Sequence, residues 1–575
     1  MPQKPKGEIR RSQLITTYGI GSIVAVEDES FMVAGTDRWD PAPPNLHEPR
    51  LERRLHVNGF RVPPASEDRG DIPVVRFPTW AHCPSCKRLD KHTKLTSIFK
   101  NLCNACSIPL IPSRFVICCE KGHIDDFPYF NWVHAGSPRT VGDHRMTIDT
   151  AGNTASLSDI VIKCSCEKQA TMDGAFFRTA MKGVTRCTGR RPWLSENEVG
   201  CDKLPRVLQR GASNVWFSLT HSAISIPPWS EGAFIVLNKH WEMLRHLQDE
   251  AALTSVLEGM KLAAGTVYTT ADLVAAIAQR RADEGAAVDD EVTVALKQDE
   301  YLALLNGRSE QSKDQQFVCV PADEIPEVLR PILDRVMVVK KLREVRVLES
   351  FSRIAPPRSG PGAPRPPLSD RHPGWLPAIE VNGEGVFLTF DTDHLRSWES
   401  TPFARQRAAR INESYRRRFP SVGAVPDRVI TPRLVLVHTL AHALIDQWAL
   451  DSGYPAASLR ERLYVSDDMA GLLIYTATSD SAGSLGGVVA EARPGRLAAS
   501  FLELVGRSAW CSADPLCIES GVSGVDGLNL AACHACALLP EVSCEEMNLL
   551  LDRALLVGTP TDPDAGFLRV VETPI

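Results

Sequence analysis

Cys83-x-x-Cys86 is followed, after sixteen intervening residues, by Cys103-x-x-Cys106. Each such knuckle turns two thiolates toward one point, and two knuckles at this zinc-ribbon spacing make a closed tetrahedral four-thiolate zinc site. A closed site of this kind is structural. Four buried free thiols on an apolar face are the competing reading. Twelve of the sixteen cysteines fall into three groups of four. The second group is Cys164-x-Cys166, Cys187 and Cys201, in a Gly/Pro-rich context, and is expected to be a second zinc site. The third is Cys517, Cys533-x-x-Cys536 and Cys544, with Cys511 as an alternative ligand to Cys517. The competing reading is a helix-packed thiol cluster, which a continuous helix over Ala531 to Cys536 would favour.

At 575 residues the chain is too long for one hydrophobic core, and length alone suggests about three or four domains. Met1 to Lys6 leads into mixed polar sequence with no apolar core segment, so no secretory leader is expected. The longest apolar stretch, Leu434 to Leu450, is interrupted by His438, His442 and Asp446 and reads as a buried helix, not a membrane span. Cytoplasmic localisation is expected, and a reducing compartment agrees with cysteines used as metal ligands. A formal net charge of −6 argues against a wholly basic nucleic-acid-coating protein and confines any DNA contact to a local track.

The expected fold class is α+β multidomain: a zinc-stapled, β-rich N-terminal half, a helical middle, and a mixed α/β C-terminal domain ending in a four-cysteine site. Residues 1–80 form a β-rich region, hairpin-like around Gly19 and Gly21, with Tyr18 to Ser22 read as a turn in preference to a phosphate loop. Residues 81–235 are the zinc-binding region. Residues 236–354 turn helical in period, with Trp241, Leu244, Leu247, Leu253, Val256, Leu257 and Met260 on one face and further helices near 271–282, 290–305 and 325–348. Eight prolines within 355–377 mark a linker or a crossover that hugs the surface. In 378–575, strands around the turn Asn382-Gly383-Glu384-Gly385 precede helices at Pro402 to Arg418 and Pro432 to Leu450, then a buried strand at Gly471 to Thr476 and a glycine-rich loop from Asp480 to Gly487.

His438-x-x-x-His442 places two imidazoles one helical turn apart, a metallohydrolase geometry. Thr439 stands where the metalloprotease version needs its glutamate base, and among Leu434, Leu436, Leu440 and Leu444 the pair reads better as satisfied core histidines. Gly122-His123-Ile124-Asp125-Asp126-Phe127 reads as a polar turn, although Cys119 four residues before His123 allows a metal pair. No Gly-x4-Gly-Lys-Ser/Thr loop and no Gly-x-Ser-x-Gly elbow occurs, so ATPase and serine-hydrolase chemistry are not expected. Arg405, Arg407, Arg410, Arg416, Arg417 and Arg418 crowd one helix with a single acid, Glu413, and with Phe403, Tyr415 and Phe419 interleaved. Guanidinium groups and stacking faces suit a DNA backbone or single strand, against the alternative of a solvated arginine face. Lys340, Lys341, Arg343 and Arg346 form a weaker track.

Arg11-Ser12-Gln13 with Tyr18-Gly19-Ile20-Gly21, Gly122 to Pro128, Pro377-Ala378-Ile379-Glu380 with Gly383-Glu384-Gly385, His438 to His442, and Ala532 to Cys536 resemble the DrmB family, helicase-associated subunits of DISARM anti-phage systems. The resemblance spans nearly the whole chain. The C-terminal half is also similar, more loosely, to the cysteine-bearing C-terminal domain of Mrf-type repair helicases. The DrmB resemblance implies a heterodimeric partner of a superfamily-2 helicase (DrmA-like), engagement of invading unmodified DNA through that complex, and a DNA methylase of the same system as a further partner. It transfers no catalytic residue and no membrane association. Zn2+ is the cofactor expected. Two other readings stand beside it: a metal-dependent hydrolase or nuclease using His438, His442 and Glu461 or Asp467, and a structural bridge without DNA contact.

Overall fold

The computed structural model describes residues 7–571 except 66–70, 98–100, 138–143, 151–155, 196–199, 239, 265, 267, 285–291, 312–314, 358–362, 419–427, 477–485, 520 and 525–526. Phe419, residues 290–291 of an expected helix and residues 480–485 of the glycine-rich loop lie outside the described residues. The chain forms two compact units, one of Met1–Leu46, Val57–His221 and Arg346–Ile379, the other of His47–His56, Ser222–Val345 and Glu380–Ile575. The architecture is mixed α/β, β-rich in the N-terminal half and helical in the middle and C-terminal regions.

In the first unit, short strands form three small sheets. Ile23–Val26, Glu29–Val33 and Val74–Arg76 make one, antiparallel throughout. Its hairpin turns at Glu27, in left-handed conformation, and Asp28. The expected hairpin around Gly19 and Gly21 is absent, because Gln13–Thr16 is a helical turn and Gly19 is pressed against Trp216 and Leu348. A six-stranded sheet runs in the order Gln169–Thr171, Ile160–Cys164, Met146–Thr150, Arg88–Lys91, Trp80–His82, Ile111–Pro112. Three strands, Arg206–Gln209, Phe115–Cys118 and Ile124–Asp126, complete the set. Phe115, Ile117, Phe127, Tyr129, Met146, Ile162, Met172 and Val207 form a small shared core. The described part of the proline-rich segment is tied into this unit: Trp193 Nε1 donates to the Pro367 carbonyl at 2.9 Å and Ser350 Oγ to Pro366 at 2.7 Å.

The second unit carries helix Pro49–Leu55 and helices Gly232–Asn238, Trp241–Leu244, Glu250–Gly259, Thr270–Glu284 and Val292–Asn306. Trp241, Leu244, Leu253 and Leu257 pack with Leu273 and Ile277, as the helical spacing predicts. The helix expected at 325–348 is instead the strand Leu333–Ser352. Its Leu342 to Leu348 are buried without interruption, so the two-residue alternation that marks a half-exposed strand is missing. Val336, Val338, Val339, Val345 and Val347 supply the β-branched preference. The turn expected at Asn382 to Gly385 is also absent; Leu376–Phe390 is one continuous strand. Gly385 pairs with Tyr475 on the neighbouring strand Ala470–Thr476, and a Cβ on Gly383 would lie 2.1 Å from the Thr476 carbonyl oxygen, so that glycine serves close backbone approach.

Leu459–Val465 pairs antiparallel with Ala470–Thr476, and helix Pro432–Ser452 packs against both strands and against helix Pro494–Ala509. Thr431 caps the long helix by accepting from Leu434 N at 3.2 Å, and Gly453 ends it in left-handed conformation. The helix is apolar nearly all round because it lies inside the core, among Leu463, Leu472, Ile474, Leu497, Phe501 and Leu504. Among the described residues, no helix is long and apolar enough to cross a membrane.

Candidate metal centres

Cys83 and Cys86 occupy the turn between strands Trp80–His82 and Arg88–Lys91. Cys83 N donates to the Arg88 carbonyl at 3.0 Å and Lys87 N to the Cys83 carbonyl at 2.9 Å, with Lys87 at φ 63. Cys103 and Cys106 repeat this turn: Cys103 N donates to Ile108 and Ser107 N to Cys103, both at 2.8 Å, with Ser107 at φ 56. The four sulfurs converge, Cys86 and Cys103 being 3.9 Å apart. Sulfurs about 2.3 Å from a tetrahedral zinc stand about 3.8 Å from one another, so the set fits the ion. Burial pushes the Cys103 thiol up, but the Ala105 and Cys106 amides and the Cys83 and Cys86 thiols outweigh it and bring it to about 7.

The structure does not bring Cys164, Cys166, Cys187 and Cys201 to one point. Cys164 and Cys166 meet His134 and His144, with His134 Nε2 3.2 Å from Cys166 Sγ and His144 Nδ1 3.2 Å from Cys164 Sγ. Antiparallel pairing of Met146 with Cys164 carries His144 there, and His134 donates from Nδ1 to the Phe130 carbonyl at 2.7 Å, which leaves Nε2 free to ligate. Cys187 and Cys201 meet Cys119 and His123 instead; His123 Nδ1 lies 3.4 Å from Cys119 Sγ and 3.6 Å from Cys187 Sγ. The turn expected at Gly122 to Phe127 thus brings His123 into this cluster and runs into the strand Ile124–Asp126. Asp125 pairs with Arg190 at 2.7 Å, and Asp126 accepts from Thr79 N at 2.7 Å and Trp80 N at 3.2 Å.

At the C-terminal end, Cys511 and Cys517 both join Cys533 and Cys536. Cys511 to Cys533 is 3.5 Å, Cys517 to Cys536 is 3.8 Å and Cys533 to Cys536 is 3.7 Å, again the spacing of a four-thiolate zinc site. The segment around Cys533 is a turn, not helix. Cys544, expected in this group, is absent from it because its chain turns inward to the histidine pair. There Cys544 Sγ and Glu461 Oε1 each lie 3.2 Å from His438 Nε2, and Glu461 Oε1 lies 3.7 Å from His442 Nε2. Burial opposes ionisation of Glu461, yet the facing imidazoles hold its carboxyl well below the usual carboxylate range. Burial and that carboxylate push the Cys544 thiol well up. Asp467 is exposed and takes no part in the cluster.

The arginine helix Pro402–Arg418 divides. Arg407 is buried and makes a two-point ion pair with Asp552, so it leaves the expected DNA-facing set; Arg418 is half-buried. Arg405, Arg410, Arg416 and Arg417 are exposed. At about 3.6 residues per turn, Arg405 and Arg416 share one stripe and Arg410 and Arg417 another. In the weaker track, Arg343 is buried against Glu48, Ser225 and Glu380.

Sequence reasoning missed Cys119, His123, His134 and His144 as a set. Cys119-x-x-x-His123 was the one local signal; His134 and His144 become neighbours of Cys164 and Cys166 only through the folded backbone.

Among the described residues, five four-ligand clusters of cysteine, histidine and glutamate, set into small sheets and one helical core, have the donor sets of metal-stapled proteins, and their cysteines form no disulfides. Residues 440–537 match the family described as the MrfA Zn-binding domain, and residues 10–217 match a domain of unknown function, DUF8724. The DISARM protein DrmB of Bacillus paralicheniformis is 30% identical over 559 residues, covering 91% of this chain and 95% of that one. The chain belongs to the DrmB family.

Proposed function

We propose that this chain is a non-catalytic, zinc-stapled accessory subunit of a DISARM anti-phage complex, binding a superfamily-2 helicase and contributing to its DNA path. Similarity to DrmB over nine-tenths of the chain carries the reading. Two features support its division of labour. The sequence has no Gly-x4-Gly-Lys-Ser/Thr phosphate loop, which agrees with ATP turnover by the partner. The donor sets are complete with protein ligands, whereas a catalytic zinc keeps one position open for water or substrate.

Co-expressed with a superfamily-2 helicase of a DISARM system, the chain is expected to co-elute as a heterodimer and to raise DNA-stimulated ATP turnover, while alone it hydrolyses neither ATP nor DNA. Separate elution, or nuclease activity of the isolated chain with zinc, magnesium or manganese that His442→Ala abolishes with folding preserved, would replace this reading with the metallohydrolase.

The exposed stripes of the arginine helix are the proposed DNA contact. Replacing Arg405, Arg410, Arg416 and Arg417 with glutamine is expected to weaken DNA binding by the complex irrespective of sequence. The log-log salt slope becomes shallower by about one unit per lost phosphate contact. Among the described residues, Arg417 pairs with Glu413 at 3.1 Å with both side chains about 70% exposed, a pair worth little in water. Unchanged affinity and slope across a salt titration would make this an ordinary solvated face.

A further inference from the structure

We propose that His438, His442, Glu461 and Cys544 hold a second, structural transition-metal ion, of zinc class, in the C-terminal unit. The zinc-domain match covers residues 440–537 and so excludes two of the four ligands, His438 and Cys544. The inference is independent of the helicase and DNA reading.

The first argument is proton counting. His442 donates from Nδ1 to the Ala537 carbonyl at 2.7 Å, so the neutral ring turns the lone pair of Nε2 toward the cluster. That nitrogen faces Glu461 Oε1 at 3.7 Å, acceptor against acceptor, and neither His442 Nε2 nor Glu461 Oε2 has a hydrogen-bond partner. His438 Nε2 stands 3.2 Å from both Glu461 Oε1 and Cys544 Sγ. Its single proton can point to only one of them. Buried polar atoms left in this state cost free energy, and a cation bonded to His438 Nε2, His442 Nε2, Glu461 Oε1 and Cys544 Sγ gives each of those four a partner.

Charge points the same way. With an ion bound, the Glu461 carboxylate and a Cys544 thiolate would supply two negative charges that a divalent cation cancels, inside a site where His438, His442 and Glu461 are each 1% exposed or less and Cys544 5%. Zinc bonds of about 2.0 to 2.3 Å put donor atoms about 3.3 to 3.8 Å apart, which brackets the 3.7 Å separation and lies close to the two of 3.2 Å.

The backbone around Cys544 also follows the other clusters. Glu546 N and Asn548 N donate to its sulfur at 3.3 and 3.2 Å, just as Ala535 N does to Cys533 and Gly189 N to Cys187. Met547 and Asn548 take φ of 54 and 60, the left-handed geometry seen at Lys87, Ser107 and Glu167 directly after the cysteines of the N-terminal clusters. Non-glycine residues adopt it rarely, so a thiolate anchored at the turn accounts for the strain. Four protein ligands and full burial leave no position for water, so the ion staples helix Pro432–Ser452, strand Leu459–Val465 and the Cys544 turn together.

The test is anomalous diffraction at the zinc edge on crystals of the full chain, with metal counting by inductively coupled plasma mass spectrometry. A peak is expected about 2.0 to 2.3 Å from His438 Nε2 and Cys544 Sγ, and Cys544→Ser should lose one of five metal equivalents while the other clusters keep theirs. If that variant fails to fold, the map of the unaltered chain decides alone. Peaks at the four cysteine-rich clusters with none between His438 and Cys544 would overturn the proposal.

Discussion

Cys103→Ser is expected to leave the N-terminal unit unfolded or aggregated and its first cluster without zinc. The apolar residues packed around this cluster are few, Ala81, Leu95 and Leu110, and too small a group to hold two knuckles closed. A bound ion would supply the missing free energy. Because the ligand geometry is absent from the unfolded chain, metal binding energy becomes folding energy, on the order of 10 kcal/mol for a structural zinc. A whole domain is typically stable by only about 5 to 15 kcal/mol, so one lost thiolate competes with the entire margin. Zinc content, thermal unfolding and limited proteolysis within residues 57–221 check the result. A soluble Cys103→Ser protein with native proteolytic resistance and undiminished zinc would remove this cluster from the folding problem.

This cluster was the one fully legible in sequence, for a physical reason: each knuckle is a local turn that presents both its sulfurs without help from distant chain. The other clusters are assembled by tertiary structure. Strand pairing delivers His144 to Cys164, and Cys119 and Cys187 meet although far apart along the chain. Proximity in sequence misled at the C-terminus, where Cys544 follows Cys536 closely but turns to the helix face of His438 and His442. The spacing of those histidines discloses a shared buried helix face, but nothing local distinguishes Glu461 from Asp467 or sends Cys544 here instead of to Cys533 and Cys536. The fold was legible where period was clean, as at Leu253 and Leu257, and failed at Leu333–Ser352, where continuous burial erased alternation.

Arg407 shows how composition alone overstates a DNA surface, and its partner gives the second large effect. Asp552→Ala is expected to cost about 3 to 5 kcal/mol, the usual penalty for stranding one member of a buried ion pair. Asp552 is fully buried; Arg407 Nη2 donates to its Oδ1 at 2.8 Å while Arg407 Nε donates to Oδ2. The same carboxylate accepts from Ala531 N at 3.3 Å and Ala554 N at 3.2 Å, and Asp552 N donates to Thr439 Oγ1 at 3.0 Å. One side chain therefore anchors the arginine helix and the segment leading into Cys533, and its backbone anchors the histidine helix. Alanine leaves a guanidinium without its counter-charge and two amides without an acceptor, and none of these groups can reach water without opening the core. Urea unfolding of Asp552→Ala should show the loss, and Arg407→Leu with Asp552→Leu should recover much of it, because removing both charges also removes their desolvation cost. Glutamine at Arg410 and Arg417, by contrast, should leave stability within about 0.5 kcal/mol and act only on DNA binding. An Asp552→Ala protein as stable as the unaltered chain would mean that the pair contributes no net anchoring.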